Sequence, residues 1–359
     1  MNILYISNLM GNKWTGPHKS VPNQIKAQEK YDNVMWFNLQ QLPLSTWNVD
    51  VNFTNVTEIK KINIKYLPSP FNSPDLVIFQ GVYYISYCKI AADLKRKNIP
   101  YIVIPRSSLT IAAQRSKKIK KRIGNLILFK NFIKNAAAIQ FLTLDEMNNS
   151  VVWNKNSFVI PNGIDNKENV KVWSGNDGLR GVFIGRLDIY QKGLDLFLDA
   201  CNLLQDKMRE AQITIDIYGP DRSGSKKIIE ELIEKSNISD LINLKDPIFD
   251  QNKETVLLNS DFFILTSRFE GHSMGLIEAL SYGIPCLVTR GSNMGDEILK
   301  WNAGWSSETS LEGIIGSMME LIDQKDTLSE RGNNAIKLSF NYDWKSLAYE
   351  SRKVYRKYI

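Results

Sequence analysis

The amino-acid sequence predicts an α/β protein built from two doubly wound, parallel-sheet domains. Short apolar runs alternate with helix-like segments through both halves of the 359-residue chain. This alternation is typical of parallel strands joined by crossover helices. A chain of this length also exceeds what a single hydrophobic core usually serves. We therefore expect two domains that face each other across a cleft, with ligands at the carboxyl ends of the strands.

The individual elements follow from short apolar runs and from longer segments with helical periodicity. Strands are predicted over 3–7, 34–38, 76–80, 101–105 and 138–143, and then over 181–184, 213–218, 261–266 and 286–289. Helices are predicted over 21–30, 84–97, 117–135, 194–209, 226–236, 274–282 and 311–324. The turn-forming residues Pro161-Asn162-Gly163 lie between the two sets of elements. We place the domains at 1–160 and 161–342, followed by a basic helix over 343–359 that packs back towards the first domain.

The amino-acid composition indicates which class of protein this chain belongs to and in which compartment it is found. The chain is 43% hydrophobic and 23% charged, which is ordinary for a globular protein. Its three cysteines, Cys88, Cys201 and Cys286, are widely scattered, as is usual in a reducing compartment. The first residues indicate a strand rather than a signal peptide, and no apolar run is long enough to cross a bilayer. We therefore expect a soluble, cytoplasmic protein.

Charge is distributed unevenly along the chain. Residues 1–165 contain 21 Lys and Arg against 9 Asp and Glu, whereas the whole chain has 45 against 38. A basic half fits nucleic acid, anionic lipid or phosphorylated acceptors, and a Lys-rich surface that only keeps the protein soluble explains it equally well. The segment 115–130 combines Lys and Arg with Ile, Leu and Phe. It fits either a helix lying on an anionic membrane or an ordinary helix buried on its apolar side.

The sequence lacks the motifs that mark several functional classes of protein. No Gly-x-Gly-x-x-Gly follows a predicted strand, which argues against a dinucleotide-dependent oxidoreductase. The sequence also has no Walker loop and no His-Glu-x-x-His motif. With His18 and His272 as the two histidines, a histidine-rich metal site is excluded and a catalytic triad is implausible. We expect no metal ion, and no nucleic acid partner because interleaved aromatics and known binding motifs are missing.

The most informative segment is 262–283, where an apolar strand meets a Gly-containing loop that opens a helix. Free backbone N–H groups at a helix N-terminus make an anion site. Glu270 and Glu278 bracket this junction. Two carboxylates do not favour bare phosphate, so the ligand must also offer hydrogen-bond donors. A nucleotide sugar has both parts, because its diphosphate suits the N–H groups and its hydroxyls suit the acids.

A second segment supplies the cations that the first one lacks. The predicted strand at 181–184 ends at Gly185, Arg186 follows at once, and Lys192-Gly193 opens the next helix. Arg binds two oxygens in a fixed fork and Lys adds a compact charge, a combination that suits a diphosphate. Taken alone, the same residues would also fit a solvated Arg and a Lys at the start of a helix. Together with the two glutamates, they favour a diphosphate site.

These two segments together resemble the retaining glycosyltransferases of family 4, also described as glycosyl transferases group 1, which have the GT-B fold of two Rossmann-like domains. Further matches are Pro161-Asn162-Gly163, Ser267-Arg268-Phe269 and the stretch 279–285. The resemblance implies an acceptor-binding domain over 1–160 and a nucleotide-sugar-binding domain over 161–342. It also implies a metal-independent hexosyltransferase with a UDP- or GDP-linked donor, no cofactor, and a leaving diphosphate that takes the acceptor's proton.

The resemblance also assigns roles to individual residues. Arg186, Lys192 and Glu270 are expected to be catalytic, with the two cations on the diphosphate and Glu270 on the donor sugar. Glu278 should accept from the ribose hydroxyls. Arg106 stands where many members have histidine. Because it stays protonated it cannot act as a general base, and it is expected to bind the sugar or phosphate of the donor instead. The remaining donor-binding positions are Gly16, Gly185, Gly271, His272, Ser273, Met274 and Gly275. Gly16 is expected in the loop after the first strand, where a glycine lets the backbone approach the phosphates. For His272, packing or backbone positioning is favoured over catalysis.

The expected function is sugar transfer to a saccharide or polyprenyl-diphosphate-linked acceptor in surface polysaccharide biosynthesis. The basic first domain would allow peripheral attachment to the inner face of the plasma membrane. Two alternatives on the same fold stay open: a catalytically silent sugar- or membrane-binding module, and a nucleotide-sugar epimerase. Glu270, Glu278 and the cations at 186 and 192 argue against the silent module, because such a module would not need them together.

Overall fold

The computed structural model describes residues 1–11, 15–59, 61–115, 118–173, 178–221 and 224–359. The chain divides into two compact units. The first comprises Met1–Gly163 together with Trp344–Ile359, and the second comprises Ile164–Asp343. Within the described ranges, no helix is both long and apolar enough to span a bilayer.

The first unit contains a seven-stranded sheet in which every neighbouring pair is parallel. Its strand order is β3-β2-β1-β4-β5-β6-β7. The strands are β1 (Asn2–Ser7), β2 (Asn33–Asn38), β3 (Phe53–Asn55), β4 (Leu76–Gln80), β5 (Tyr101–Ile104), β6 (Ala138–Phe141) and β7 (Ser157–Val159). All five strands predicted in this half are confirmed within two residues at each end. The sequence missed β3 and β7, since three-residue strands are too short to show a period.

Helices cover both faces of this sheet, so its strands are apolar on both sides. In β1, Leu4 and Ile6 join one buried cluster, whereas Ile3 and Tyr5 join another. The alternation reflects the two-residue period of a strand. The helices are α1 (Gly16–Gln28), α2 (Ile85–Arg96), α3 (Ile111–Arg115), α4 (Lys118–Gly124), α5 (Lys130–Lys134) and α6 (Leu144–Asn148), and near the C-terminus α15 (Trp344–Tyr355).

Two helices of this unit differ from their predictions. Helix α1 begins at Gly16 rather than at 21, because Pro17 suits a first helical turn, where no N–H partner is needed. The single helix predicted over 117–135 is instead α4 and α5 joined by a π-helical turn, Asn125–Phe129. Residues 116 and 117, which belong to the basic segment, lie outside the described ranges.

The second unit contains a six-stranded sheet, again parallel throughout. Its strand order is β10-β9-β8-β11-β12-β13. The strands are β8 (Leu179–Ile184), β9 (Ile213–Tyr218), β10 (Ile242–Lys245), β11 (Phe262–Leu265), β12 (Cys286–Thr289) and β13 (Gly304–Ser307). The four predicted strands are confirmed. The sequence missed the two edge strands β10 and β13, which contain polar residues and lack a continuous apolar run.

The helices of the second unit follow the predicted alternation in part. The sequence missed those at Asp250–Leu258, Gly295–Lys300 and Leu328–Ser339. The helix predicted over 194–209 is divided at Leu204 into two shorter ones. The helices are α7 (Leu194–Leu203), α8 (Gln205–Glu210), α9 (Ser225–Lys235), α10 (Asp250–Leu258), α11 (Met274–Ser281), α12 (Gly295–Lys300), α13 (Leu311–Asp323) and α14 (Leu328–Ser339). Short 3-10 turns occur at Leu44–Trp47, Val56–Glu58, Ile64–Tyr66, Arg290–Ser292, Lys325–Thr327, Phe340–Tyr342 and Arg356–Tyr358.

The strand order of each sheet identifies where a ligand can enter. In both sheets the order reverses beside the first strand of the unit, between β1 and β4 in one and between β8 and β11 in the other. A doubly wound sheet binds its ligand at the carboxyl ends of the strands that flank such a reversal. In the second unit, the loops at that point are those that follow β8 and β11. These loops carry most of the predicted site residues.

The C-terminal helix α15 belongs to the first unit. Tyr355 is fully buried, and its hydroxyl donates to Gln140 Oε1 on β6 at 2.7 Å. Trp344 packs against Gly163 so closely that a Cβ at that position would lie 2.3 Å from the indole ring. Position 163 therefore admits only glycine without rearrangement of the Trp344 ring.

Candidate active site

The loop after β8 positions the two predicted cations. Arg186 follows the strand directly, and its Nη2 donates to Gln191 Oε1 at 2.8 Å. Asp188 lies 3.9 Å from the other terminal nitrogen of the guanidinium. At the end of the loop, Gly193 adopts a left-handed conformation with φ +64°, and a Cβ there would lie 2.1 Å from the carbonyl oxygen of Thr266. Glycine is therefore required at this position for both conformation and space.

Lys192 and Glu270 form a buried ion pair, with the ammonium in direct contact with Glu270 Oε1. The same carboxylate oxygen accepts from Ser267 Oγ at 2.8 Å. The backbone carbonyl of Glu270 accepts from Asn293 Nδ2. A buried charge persists only when it is paired and hydrogen-bonded, and the contacts with Lys192 and Ser267 satisfy that condition for the Glu270 carboxylate. The pair therefore fixes both side chains at the carboxyl edge of the sheet.

The loops after β8 and β11 are joined by several other hydrogen bonds. The backbone N–H of Arg268 donates to the carbonyl of Gln191 at 2.8 Å. Gln191 Nε2 in turn donates to the carbonyl of Phe269 at 3.3 Å. Thr266 Oγ1 donates to the carbonyl of Lys192 at 3.2 Å. The two segments that the sequence analysis singled out therefore form one continuous structure.

Helix α11 begins at this structure. Ser273 is its N-cap, and the Ser273 hydroxyl accepts from the N–H of Leu276 at 3.4 Å. Gly271, Ser273, Met274 and Gly275 are partly accessible along this turn. The first backbone N–H groups of a helix have no partner within it and carry partial positive charge. The turn can therefore bind an anionic group beside Lys192.

Glu278 lies one turn into α11 and is buried. Its Oε2 is in direct contact with the ammonium of Lys253, which projects from α10. Sequence reasoning did not find Lys253. Nothing in the residues around position 253 marks it, because it approaches Glu278 only through the folding of α10 against α11. The second acid of the motif is thus paired with a lysine, as the first one is.

His272 is buried, and its ring centre lies 5.1 Å from that of Tyr342. Burial lowers the pKa of His272 from 6.5 to about 3, because the charged imidazolium loses its hydration. The ring is therefore neutral at physiological pH. This position agrees with the packing role that the sequence favours over a catalytic one.

Arg106 belongs to the first unit and follows β5. Arg106 and Ser107 both adopt left-handed backbone conformations, with φ of 50° and 63°. The Arg106 guanidinium donates to Gln80 Oε1 and to Ser20 Oγ at 2.9 Å each, and to Asn162 Oδ1 at 3.3 Å. Burial lowers the pKa of Arg106 to about 10, so it remains a cation at neutral pH. Its hydrogen bonds link three separate segments of the unit.

The turn at Arg106 is supported by a buried carboxylate that the sequence analysis did not identify. Glu146 accepts from the backbone N–H groups of Ser107 and Leu142, the latter at 2.7 Å. Burial raises the pKa of Glu146 above its usual value. Gly16, predicted to lie in the loop after β1, is instead the exposed first residue of α1. Its role in bringing the backbone close to the donor phosphates stays a prediction.

The described part of the chain contains no group of three or more His, Cys, Asp or Glu side chains placed to hold a metal ion. The charged groups at the carboxyl edge of the second sheet include Arg186, Lys192, Glu270, Lys253 and Glu278, as described above. This mixture of fixed cations, acids and helix N–H groups suits a ligand that carries both phosphate and hydroxyl groups.

Comparison with known proteins agrees with this geometry. Residues 168–338, nearly all of the second unit, match the family described as Glycosyl transferases group 1. An uncharacterized glycosyltransferase of Methanocaldococcus jannaschii is 25% identical over 312 residues, which cover 84% of this chain and 83% of that protein. The structure of HepE of Anabaena in complex with UDP-glucose superposes with a TM-score of 0.74 at 13% identity, covering 99% of this chain and 100% of the other. WaaG, a glycosyltransferase involved in lipopolysaccharide biosynthesis, superposes with a TM-score of 0.67 at 12% identity, covering 98% and 99%.

The fold and these matches define the class of protein, which is a GT-B glycosyltransferase. Residues 168–338, a little under half of the chain, match the glycosyl transferases group 1. The predicted two-domain α/β fold is confirmed, and the resemblance is confirmed as far as the match to the glycosyl transferases group 1. Membership of family 4 and a retaining mechanism stay predictions.

Proposed function

We propose that this protein transfers a sugar, with retention of anomeric configuration and without a metal, from a nucleoside-diphosphate sugar to a saccharide or polyprenyl-diphosphate-linked acceptor. The observation that carries the proposal is the Lys192–Glu270 pair, held beside the N-terminus of α11. A lysine, an acid and free N–H groups at one sheet edge match the phosphates and hydroxyls of such a donor.

Each residue has a distinct role in this proposal. Arg186 and Lys192 bind the diphosphate and stabilise the charge that develops on it as the glycosidic bond breaks. Lys has three N–H donors, so Lys192 can contact phosphate while it still holds Glu270. Glu270 accepts hydrogen bonds from sugar hydroxyls, helped by the backbone between Gly271 and Gly275. Glu278 accepts from the ribose, and the departing phosphate takes the acceptor's proton.

Similar proteins support the choice of donor and biological context. HepE has been solved with UDP-glucose, which supports a UDP-linked hexose over a GDP-linked one as the first donor to test. WaaG is involved in lipopolysaccharide biosynthesis, which supports a role in surface polysaccharide assembly. The site as described needs no cofactor other than the donor substrate.

A screen of nucleotide sugars against the purified protein tests the proposal. A bound donor at 100 times its Kd stabilises the native state by about 2.7 kcal/mol, which is easily seen as a rise in Tm. We expect one UDP- or GDP-sugar to raise Tm and to release nucleoside diphosphate slowly. Lys192→Met and Glu270→Gln should abolish release, whereas Lys227→Met on the exposed surface of α9 should not.

The same screen separates the alternatives. A silent module would bind a donor without turnover, and an epimerase would convert the donor into its 2-epimer with no acceptor present. Wild-type activity that survives in both Lys192→Met and Glu270→Gln would refute the proposed site.

We further propose that the protein binds peripherally to the inner face of the plasma membrane through the basic segment of its first unit. Four apolar side chains of this segment, spaced three or four residues apart or adjacent, point into solvent: Ile119, Ile123, Leu126 and Ile127 are 76%, 56%, 84% and 65% exposed. Lys120 and Arg122 lie between them. Apolar side chains interleaved with cations fit the interface of an anionic bilayer. Phe129 of the same segment packs against a buried cluster, whereas these four side chains stay exposed.

Vesicle sedimentation tests this second proposal. We expect binding to vesicles that contain phosphatidylglycerol, weaker binding to pure phosphatidylcholine, and weakening with salt because the attraction to lipid charge is screened. Lys120→Glu with Arg122→Glu, or Leu126→Ser with Ile127→Ser, should each reduce binding. Lys227→Glu is the matched charge reversal on the second unit and should have no effect. Salt-independent binding, or binding unaffected by both double variants, would exclude this surface.

A further inference from the structure

The contact between Lys253 and Glu278 is a feature that the roles assigned above do not use. Lys253 lies on α10 and Glu278 on α11, and both side chains are largely buried. Their charged ends are in direct contact. The two helices flank β11 in the sequence, so the pair spans the strand that leads into the loop carrying Glu270.

A buried carboxylate without a cation tends to become protonated, because burial penalises its charged form. A protonated carboxyl group carries its own O–H donor and has fewer acceptor positions for another ligand. An ammonium in direct contact favours the ionised form. An ionised carboxylate accepts up to about four hydrogen bonds, so it can pair with an ammonium and accept from a diol at the same time.

We propose that Lys253 is a positioning residue for the ribose of the donor nucleotide. It keeps Glu278 ionised and fixes its rotamer, and through Glu278 it supplies the part of nucleotide affinity that depends on the ribose hydroxyls. The inference rests on the proposed function, specifically on Glu278 as the ribose acceptor. A direct contact between Lys253 and phosphate would be a different role, because it would change the affinity for any nucleoside diphosphate regardless of its sugar.

The experiment compares the affinity for UDP with that for 2′,3′-dideoxyuridine 5′-diphosphate by titration calorimetry, with the guanine pair run in parallel. In the wild type we expect the natural nucleotide to bind at least about tenfold more tightly, as loss of a hydrogen bond to a charged group implies. Lys253→Met should weaken UDP binding about tenfold or more and leave the dideoxy analogue within about twofold. Lys253→Arg should recover part of the loss, and the exposed control Lys227→Met should change neither affinity.

A second variant keeps the test valid if the buried change disturbs folding. Lys253→Met combined with Glu278→Gln removes both charges, and its UDP affinity should equal that of Glu278→Gln alone, because Lys253 acts only through Glu278. An equal loss for UDP and the dideoxy analogue in Lys253→Met would overturn the inference in favour of a phosphate contact. Unchanged UDP binding would overturn it outright. A wild type that binds none of the four nucleotides would refute the donor site itself, and a wild type that binds them without preference for ribose would refute the role of Glu278.

Discussion

The Lys192 ammonium contacts the Glu270 carboxylate in a buried ion pair that joins the loop after β8 to the loop after β11. The contact holds both charged groups at fixed positions relative to each other. Such preorganisation lowers the ordering cost of binding. It also makes the pair part of the structure, and a single substitution should therefore affect both stability and activity.

Substituting Lys192 or Glu270 alone should lower the free energy of unfolding more than substituting both together. Lys192→Met or Glu270→Gln leaves a buried group without its partner, which typically costs about 3–5 kcal/mol for a buried ion pair. We expect the double variant to recover part of that loss in urea unfolding, while transfer stays at least about 100-fold below wild type in all three. Arg209→Met, at an exposed pair with Asp240, is the control. Strictly additive stability losses would show that the two side chains do not interact.

Gly193→Ala should destabilise the site through backbone strain and a steric clash. A left-handed conformation costs a non-glycine residue about 1–2 kcal/mol, and here the new Cβ would also lie 2.1 Å from the Thr266 carbonyl oxygen. Gly224→Ala is the matched control, because Gly224 has φ +75° and a Cβ there would meet no atom within 4 Å. We expect a clearly larger drop in Tm for the first variant. Equal drops would mean that the close approach to Thr266 is relieved at no cost.

The neutral, buried His272 predicts a pH dependence of stability. Its pKa is about 3 in the folded protein and 6.5 by its ordinary value. Below pH 6.5 the unfolded chain binds a proton that the native state does not, so unfolding becomes easier as the pH falls towards 3. Each unit of pKa difference corresponds to about 1.4 kcal/mol. His272→Phe, which keeps a ring against Tyr342, should flatten the pH dependence of urea unfolding between about pH 7 and pH 5; an unchanged slope would contradict the burial of the ring.

The hydrogen bonds that Arg106 donates should be essential for the stability of the first unit. Arg106→Met leaves Gln80, Ser20 and Asn162 without this partner, and a buried acceptor that loses its donor costs about 1–3 kcal/mol. Lys cannot reproduce the planar fork of the guanidinium, so we expect Arg106→Lys to recover less than half of the lost Tm.

Arg96→Met is the control for the Arg106 variants, since Arg96 is exposed and forms its ion pair within its own helix, with Asp93. It should shift Tm little. Full recovery by Arg106→Lys would indicate that a positive charge alone is sufficient at this position. Glycosyl transfer measured on the same variants reports whether the network also supports catalysis.

The sequence predicts most of the fold because hydrophobic periodicity marks buried parallel strands clearly. Strands such as β4 and β9 contain uninterrupted or alternating apolar residues, and their predicted bounds are correct to the residue. Elements whose stability depends on neighbours are not predicted in this way. Strand β13 begins at Gly304 and contains two serines, and the π-helical turn at Asn125–Phe129 has no local sequence signal.

The candidate site is predictable in part for the same reason. Arg186, Lys192, Glu270 and Glu278 lie in segments with a recognisable strand–loop–helix pattern. Lys253 and Glu146 do not, because the contact of Lys253 with Glu278 and that of Glu146 with Ser107 join elements distant in sequence. At Gly16 the sequence predicts a loop, because a glycine lies close to the end of a strand. The structure instead has the first residue of a helix there, since Pro17 suits a first helical turn.

The first unit is assembled from two separate stretches of chain, whereas the second is continuous from Ile164 to Asp343. During synthesis on the ribosome, every strand and helix of the second unit emerges before Tyr355, whose hydroxyl bonds Gln140 on β6. The unit that is made first is therefore the one that is completed last. A nascent chain interrupted before α15 would contain a complete second unit and an incomplete first unit.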